Sequence, residues 1–271
     1  MTSFQKIVKY GAIAFAALLA VNIVFGIIWG VGSLAGFLGL NNNENIMDDM
    51  KTISTDNTSF QELEIKLGFT SLEIKEGTEF KVETNNSKIE YENKNGKVTI
   101  KEKTGFFVLN NSKISNLVIY IPSDMNYLNK IDIEAGAGTI YISNLKADEF
   151  NFDQGAGKVY IENLTVLKDA NIDGGAGKME IISSNFNNID LDLGAGEFIL
   201  EGILTGTNEI DSGVGSVRIS LLDGIDNYTI KASKGLGSIK IDGKGISNNI
   251  TYGNGSTFLQ VDGGVGSITI D

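Results

Sequence analysis

The chain has 271 residues, a formal net charge of −12, 33 Gly, one Pro, and neither His nor Cys. Those absences exclude Ser-His and Cys-His nucleophile pairs, histidine- and thiolate-based metal centres and disulfides. Arg218 is the sole arginine, which excludes a multi-arginine phosphate clamp, and the acidic balance argues against nucleic acid as a partner, since proteins that bind it neutralise phosphates with Lys and Arg.

Residues 1–9 carry Lys6 and Lys9, and residues 10–40, YGAIAFAALLAVNIVFGIIWGVGSLAGFLGL, carry no charge. Roughly 20 apolar residues span a bilayer core. Tyr10 and Trp29 lie 19 positions apart, about 28 Å along a helix, so one aromatic ring falls near each interface. The stretch is about twice the length of a signal-peptide apolar region. It therefore predicts one transmembrane helix over 10–40, a signal anchor in contact with the lipid bilayer. Cleavage near the small residues Ser33 and Ala35 is the competing reading. No Cys follows, so a lipoprotein anchor is excluded. The lysines on the N-terminal side place residues 1–9 in the cytoplasm and the C-terminal part outside the cell. That part holds all 34 acids and 20 of the 22 bases, a net charge of −14.

Residues 41–59 are polar and aperiodic, and read as a flexible linker. From Phe60 the apolar period becomes two, in LEIKL (63–67), SLEIK (71–75), FKVET (80–84), KIEYE (88–92), GKVTIKEK (96–103) and LVIYIP (117–122). Alternation with intervening turn residues predicts half-buried strands. Residues 60–122 are expected to form an antiparallel N-terminal β region or cap, or the first turns of the repeat architecture that follows, ended by Pro122.

Residues 123–271 repeat. A Gly-x-Gly tripeptide recurs with first glycines at 136, 155, 175, 194, 213, 235 and 264, at spacings of 19, 20, 19, 19, 22 and 29. A period of this size indicates a solenoid. Apolar residues stand five and three before the first glycine and four and six after it, as with Ile131, Ile133, Ile140 and Ile142 around Gly136. Each repeat therefore predicts strand, glycine bend and strand, with one face inward. Stacked rungs share a core that a single coil cannot build. The expected architecture is all-β, a parallel β-helix or β-roll with rungs of about 19 residues; a β-sandwich is the alternative. The residue between the glycines is Ala, Val or Leu, and is expected to point into the core.

Several motifs fail on inspection. The third glycine of a dinucleotide-binding G-x-G-x-x-G is replaced by Tyr141, Tyr160 and other residues. The calcium nonapeptide would need Asp where Met179 and Ile268 stand. Carboxylates do recur two before the first glycine, at Glu134, Asp153, Asp173, Asp192, Asp211 and Asp262, with Ser233 the exception. Three readings compete for this ladder: local caps of the bend backbone, a weak stripe for divalent cations, or a carboxylate pair for glycan hydrolysis. Monotony argues against the last, because acid–base chemistry needs two unlike environments. Tyr141 and Tyr160 share one outward position, as a packed pair or as a platform for a sugar or partner. No catalytic, cofactor-binding or metal-ligating residue is assigned.

The run LVIYIPSDMNYLNKIDIEAGAGTIYISNL (117–145), with QGAGKVYIENL (154–164) and GGAGKMEII (174–182), resembles a bacterial domain family of unknown function named "putative adhesin". The resemblance covers residues from about 60 to 271. It implies a β-solenoid, in some members membrane-anchored and associated with cell-envelope stress. The expectation is a non-enzymatic surface or envelope-associated interaction module whose partner is an unknown cell-surface protein or glycan. A carbohydrate-active β-helix enzyme is the runner-up. A structural protein assembling through solenoid edges is the third reading, because the chain stops at Asp271, one residue after a rung strand.

Overall fold

A computed structural model describes residues 50–55, 59–103, 115–247 and 249–271. The expected cytoplasmic segment, transmembrane helix and most of the linker lie outside the described residues. Within them, no helix is long and apolar enough to cross a membrane.

Alternating residues form fourteen strands of one sheet: β1 (Lys51–Ser54), β2 (Glu62–Leu67), β3 (Ser71–Gly77), β4 (Lys81–Thr84), β5 (Ile89–Lys94), β6 (Lys97–Glu102), β7 (Asn116–Pro122), β8 (Tyr127–Asn187), β9 (Ile189–Thr205), β10 (Thr207–Leu221), β11 (Tyr228–Ile241), β12 (Lys244–Ile246), β13 (Ile250–Tyr252) and β14 (Thr257–Ile270). The long β8 is several coils of a parallel solenoid. Its glycine bends stack directly, Gly155 on the carbonyl of Gly136 and Gly175 on that of Gly155. Inward positions fill one continuous core that runs from Leu63 and Ile65 to Ile268 and Ile270.

Rung geometry extends further towards the N-terminus than the repeat indicates. β2 pairs parallel with β8, Leu63 beside Ile131, and β3 pairs parallel with β8, Leu72 beside Ile140. β6 and β7 add a further parallel layer on β2 and β3. The antiparallel expectation over 60–122 is thus corrected in favour of first turns: β2, β3, β6 and β7 stack parallel, and antiparallel pairing there is confined to the covering strands β4 on β7 and β5 on β6. The physical cause is the shared core, which β2, β3, β6 and β7 continue by aligning with the coils above. The stretch read as linker also contains strand β1, paired with β4.

Stacking order departs from chain order at the C-terminal end. β14 lies between β10 and β11, parallel to both. The edge expected at Asp271 is therefore interior, and the outer edge of β11 is covered by the short antiparallel β12 and β13. At the other end β5 covers β6, and β4 with β1 covers β7. Short antiparallel strands at both ends protect a solenoid from edge-to-edge growth. This removes the observation behind the reading of assembly through open edges.

One position in the four inward columns of the repeat is polar. Asn208 replaces the apolar residue five before Gly213 and is fully buried. Its carboxamide accepts the Ile189 N–H at 3.2 Å and donates to the Phe258 carbonyl at 3.0 Å, so it joins three rungs. Buried Tyr228 closes the turn before β11: its hydroxyl accepts the Leu204 N–H at 3.0 Å and donates to Asp223 at 2.7 Å. Burial above all, then Asp223, raises its pKa well beyond the usual phenol range.

Candidate functional site: an acidic strip beside an apolar ridge

The bends bring every conspicuous column of the repeat to one corner of the solenoid. A Cβ on the second glycine, Gly196, would stand 1.7 Å from the Gly177 carbonyl oxygen, at a φ of +145°. A Cβ on the first glycine, Gly194, would stand 2.3 Å from the carbonyl of Gly175. Both columns are glycine because the neighbouring backbone occupies the side-chain space.

The residue between the glycines does not point into the core, contrary to expectation. Ala137, Ala156, Ala176 and Ala195 are half-buried, and Leu236 is 51% exposed at one end of the row. At the other end Phe69 is 55% exposed. It occupies a bend the repeat search does not register, since Thr70 stands where the second glycine would be. The apolar template is nonetheless present around Gly68: Leu63, Ile65, Leu72 and Ile74 hold the four inward positions. The N–H groups of Gly68 and Phe69 donate to Glu102 at 2.8 and 3.2 Å. Eight bends at the ~4.8 Å strand spacing make a ridge about 34 Å long.

Beside the ridge runs the carboxylate column. The register puts Asp173 against Asp192, Asp192 against Asp211, and Asp211 against Asp262. Lys66 closes one end in an ion pair with Glu134 at 2.6 Å. Ser233 closes the other by donating to Asp262, which also accepts the Gln260 amide at 2.8 Å. Among the described residues no cation pairs with Asp153, Asp173, Asp192 or Asp211, and none of these carboxylates caps its bend. The capping reading therefore fails for these four, since no bend N–H among the described residues donates to them. Together with the first glycines, these residues line a shallow open groove of about 710 Å³.

Like charges in register have an electrostatic cost. Partial burial, then Asp192, Asp153 and Asp190, raises the pKa of Asp173. Partial burial, then Asp262, Glu209, Asp192 and Asp190, raises that of Asp211. Oxygens of Glu209, Asp211 and Asp262 lie within 4.8 Å of one another, and Oδ1 of Asp211 is buried with no hydrogen-bond partner. Such hard oxygens attract Ca²⁺ or Mg²⁺.

Tyr141 and Tyr160 stack on each other with centroids 4.9 Å apart and planes 8° apart. Each ring gives one face to the other, which is cross-strand packing, while Tyr141 stays 49% exposed.

The family described as Toastrack DUF4097 matches residues 50–264. No match is found among curated proteins. Solved structures similar to this chain include three that carry descriptive names. A "putative cell adhesion protein" from Clostridium sporogenes is 21% identical, over 82% of this chain and 96% of that one, with a TM-score of 0.37. A "putative adhesin" from Bacteroides fragilis is 16% identical, over 83% and 98%, with a TM-score of 0.43. A "putative lipid binding protein" from Parabacteroides distasonis is 14% identical, over 83% and 98%, with a TM-score of 0.39.

Proposed function

This chain belongs to the Toastrack DUF4097 family, and from that premise we propose that it is a membrane-anchored, non-enzymatic interaction module of the cell envelope. Residues 10–40 hold it in the bilayer with the N-terminus in the cytoplasm, and the β-solenoid stands outside the cell. The reading is supported by the charge-free segment between Tyr10 and Trp29, preceded by Lys6 and Lys9.

The observation that carries the interaction role is the corner of the solenoid. A strip of carboxylates, of which Asp153, Asp173, Asp192 and Asp211 pair with no cation among the described residues, runs beside an apolar ridge on a stack of bends. Rigid periodic surfaces favour contact with an extended partner, because little entropy is lost on binding. The partner is a cell-surface protein or glycan, with divalent cations as weak counterions of the strip. The enzyme reading loses ground on the uniformity of the same carboxylates. Assembly through solenoid edges loses ground on the antiparallel strands that cover both ends.

The test is capture from crosslinked intact cells with the full chain as bait, beside the Asp153→Asn, Asp173→Asn, Asp192→Asn variant. A surface partner recovered with the parent and lost with the variant supports the reading. Recovery that does not depend on the strip contradicts it.

A further inference from the structure

The last rung sits in a slot between two rungs that match each other. Val265 of β14 lies beside Val214 of β10 on one side and Leu236 of β11 on the other. The same register holds along the strands, so Ile219, Ile270 and Ile241 form one column, and Glu209, Gln260 and Lys231 another. If β14 left, β10 and β11 would already be aligned to pair with each other.

That closure would supply new partners for several groups that β14 now contacts. Glu209 would meet Lys231 instead of Gln260. Asp211, whose Oδ1 lacks a partner beside Asp262, would meet the Ser233 hydroxyl. The Asn208 amide, which now donates to the Phe258 carbonyl, would find the equivalent carbonyl of Thr229. Against these stand the loss of β14's parallel pairing on both sides, of the Ser233–Asp262 hydrogen bond and of the Gln260 bonds to Glu209 and Lys231, one new like-charge contact, Arg218 beside Lys240, and exposure of the buried Leu259, Val261, Ile268 and Ile270.

The connections are suited to the movement. Bends 213 and 235 are 22 residues apart rather than 19, because this link now steps past an extra rung. The segment entering β14 is Gly253-Asn254-Gly255-Ser256, which crosses the start of β11. Two hydrogen bonds hold it there: Gly255 N–H to the Tyr228 carbonyl at 3.2 Å, and the Thr229 hydroxyl to the Gly255 carbonyl at 2.8 Å.

We infer that β14 is a detachable rung: it leaves its slot by opening at residues 253–256, and β10 and β11 then close on each other in the existing register. The domain thus has two stackings that differ by one rung. In the shorter one, residues 257–270 are free.

Cysteine pairs distinguish the two stackings, and the natural chain supplies no competing thiol. Adjacent parallel strands are ~4.8 Å apart and positions two rungs apart about 9.6 Å, whereas a disulfide needs Cα atoms within ~7 Å. The full-length chain carrying Val214→Cys and Leu236→Cys is oxidised mildly, dilute and without denaturant. Ala176→Cys with Val214→Cys is the reference, since those bends are also two rungs apart but share no removable insert. Val214→Cys with Val265→Cys checks that thiols at adjacent bends react.

The expected result is an intramolecular crosslink in the 214/236 pair at least about tenfold faster than in the 176/214 reference, with residues 257–270 becoming open to protease, as local opening costs less than global unfolding. Adding Asp262→Asn, which relieves the charge contact of the inserted state, should slow that crosslink about fourfold. Equal rates in the two pairs, or crosslinks confined to covalent dimers, would overturn the inference.

Discussion

Replacing Gly196 by Ala tests the bend architecture most severely. The added Cβ would sit 1.7 Å from the Gly177 carbonyl oxygen. Ordinary contact needs about 3.4 Å, so one bend must move by roughly 1.7 Å. The obstacle is backbone, with no rotamer to change. A φ of +145° adds strain for any residue with a Cβ, about 1–3 kcal/mol. Moving the bend also weakens two or three inter-rung hydrogen bonds, each contributing ~1 kcal/mol. The expected loss is about 3–6 kcal/mol, a large share of the ~5–15 kcal/mol that holds a typical domain folded. Gly245 has no neighbour within 4 Å and no positive φ, so Gly245→Ala should stay within about 0.5 kcal/mol of the parent. Gly96, with a φ of +77° in open space, should cost about 1 kcal/mol. Urea midpoints followed by circular dichroism, at unchanged slope, supply the comparison. A loss at Gly196 no larger than that at Gly96 would refute the stacked-bend argument.

Asp211→Asn should stabilise the chain at pH 7 by roughly 0.8 kcal/mol, the value of one like-charge contact near 5 Å in a watery dielectric. The folded pKa of Asp211 is raised above 3.8, so its charge opposes folding above the folded pKa. The advantage of the variant should shrink as pH falls through that pKa and vanish below the unfolded value; an advantage that persists at pH 3 would contradict the assignment. Millimolar Mg²⁺ or Ca²⁺ should raise the melting temperature of the parent, and the Asp153→Asn, Asp173→Asn, Asp192→Asn variant should lose that increment; an equal response in both means the strip attracts no cations. Tyr141→Ala should cost about 0.5–1.5 kcal/mol beyond its area burial through loss of the stack with Tyr160, and a double-mutant cycle with Tyr160→Ala that shows no coupling would remove the pair as a stabilising contact.

The sequence announces the rungs because one inward column has one chemistry. Ile131, Ile133, Ile140 and Ile142 are all buried, as their spacing around Gly136 predicts. The bend at Gly68 carries the same four apolar positions and escapes notice only because Thr70 replaces the second glycine. Stacking order is less legible. Parallel rungs have equivalent upper and lower faces, so nothing local says that β14 follows β10 in space. The spacing of 22 before Gly235 and 29 before Gly264 is the trace it leaves in sequence. The outward bend residues mislead because Ala and Val suit either side of a strand. Their exposure follows from the two glycine columns, whose stacked backbones bring the chain too close for a side chain between them to turn inward. The carboxylate ladder is plain in sequence, but its closure by Lys66 and Ser233 depends on which rungs lie next to it.

The central claim is that the solenoid stands outside the cell on a membrane anchor. Protease added to intact protoplasts tests it directly. The account predicts digestion of residues 41–271 and a membrane-bound N-terminal fragment containing residues 10–40. A domain that stays protected until the protoplasts are lysed, or one released in soluble form without protease, would contradict it.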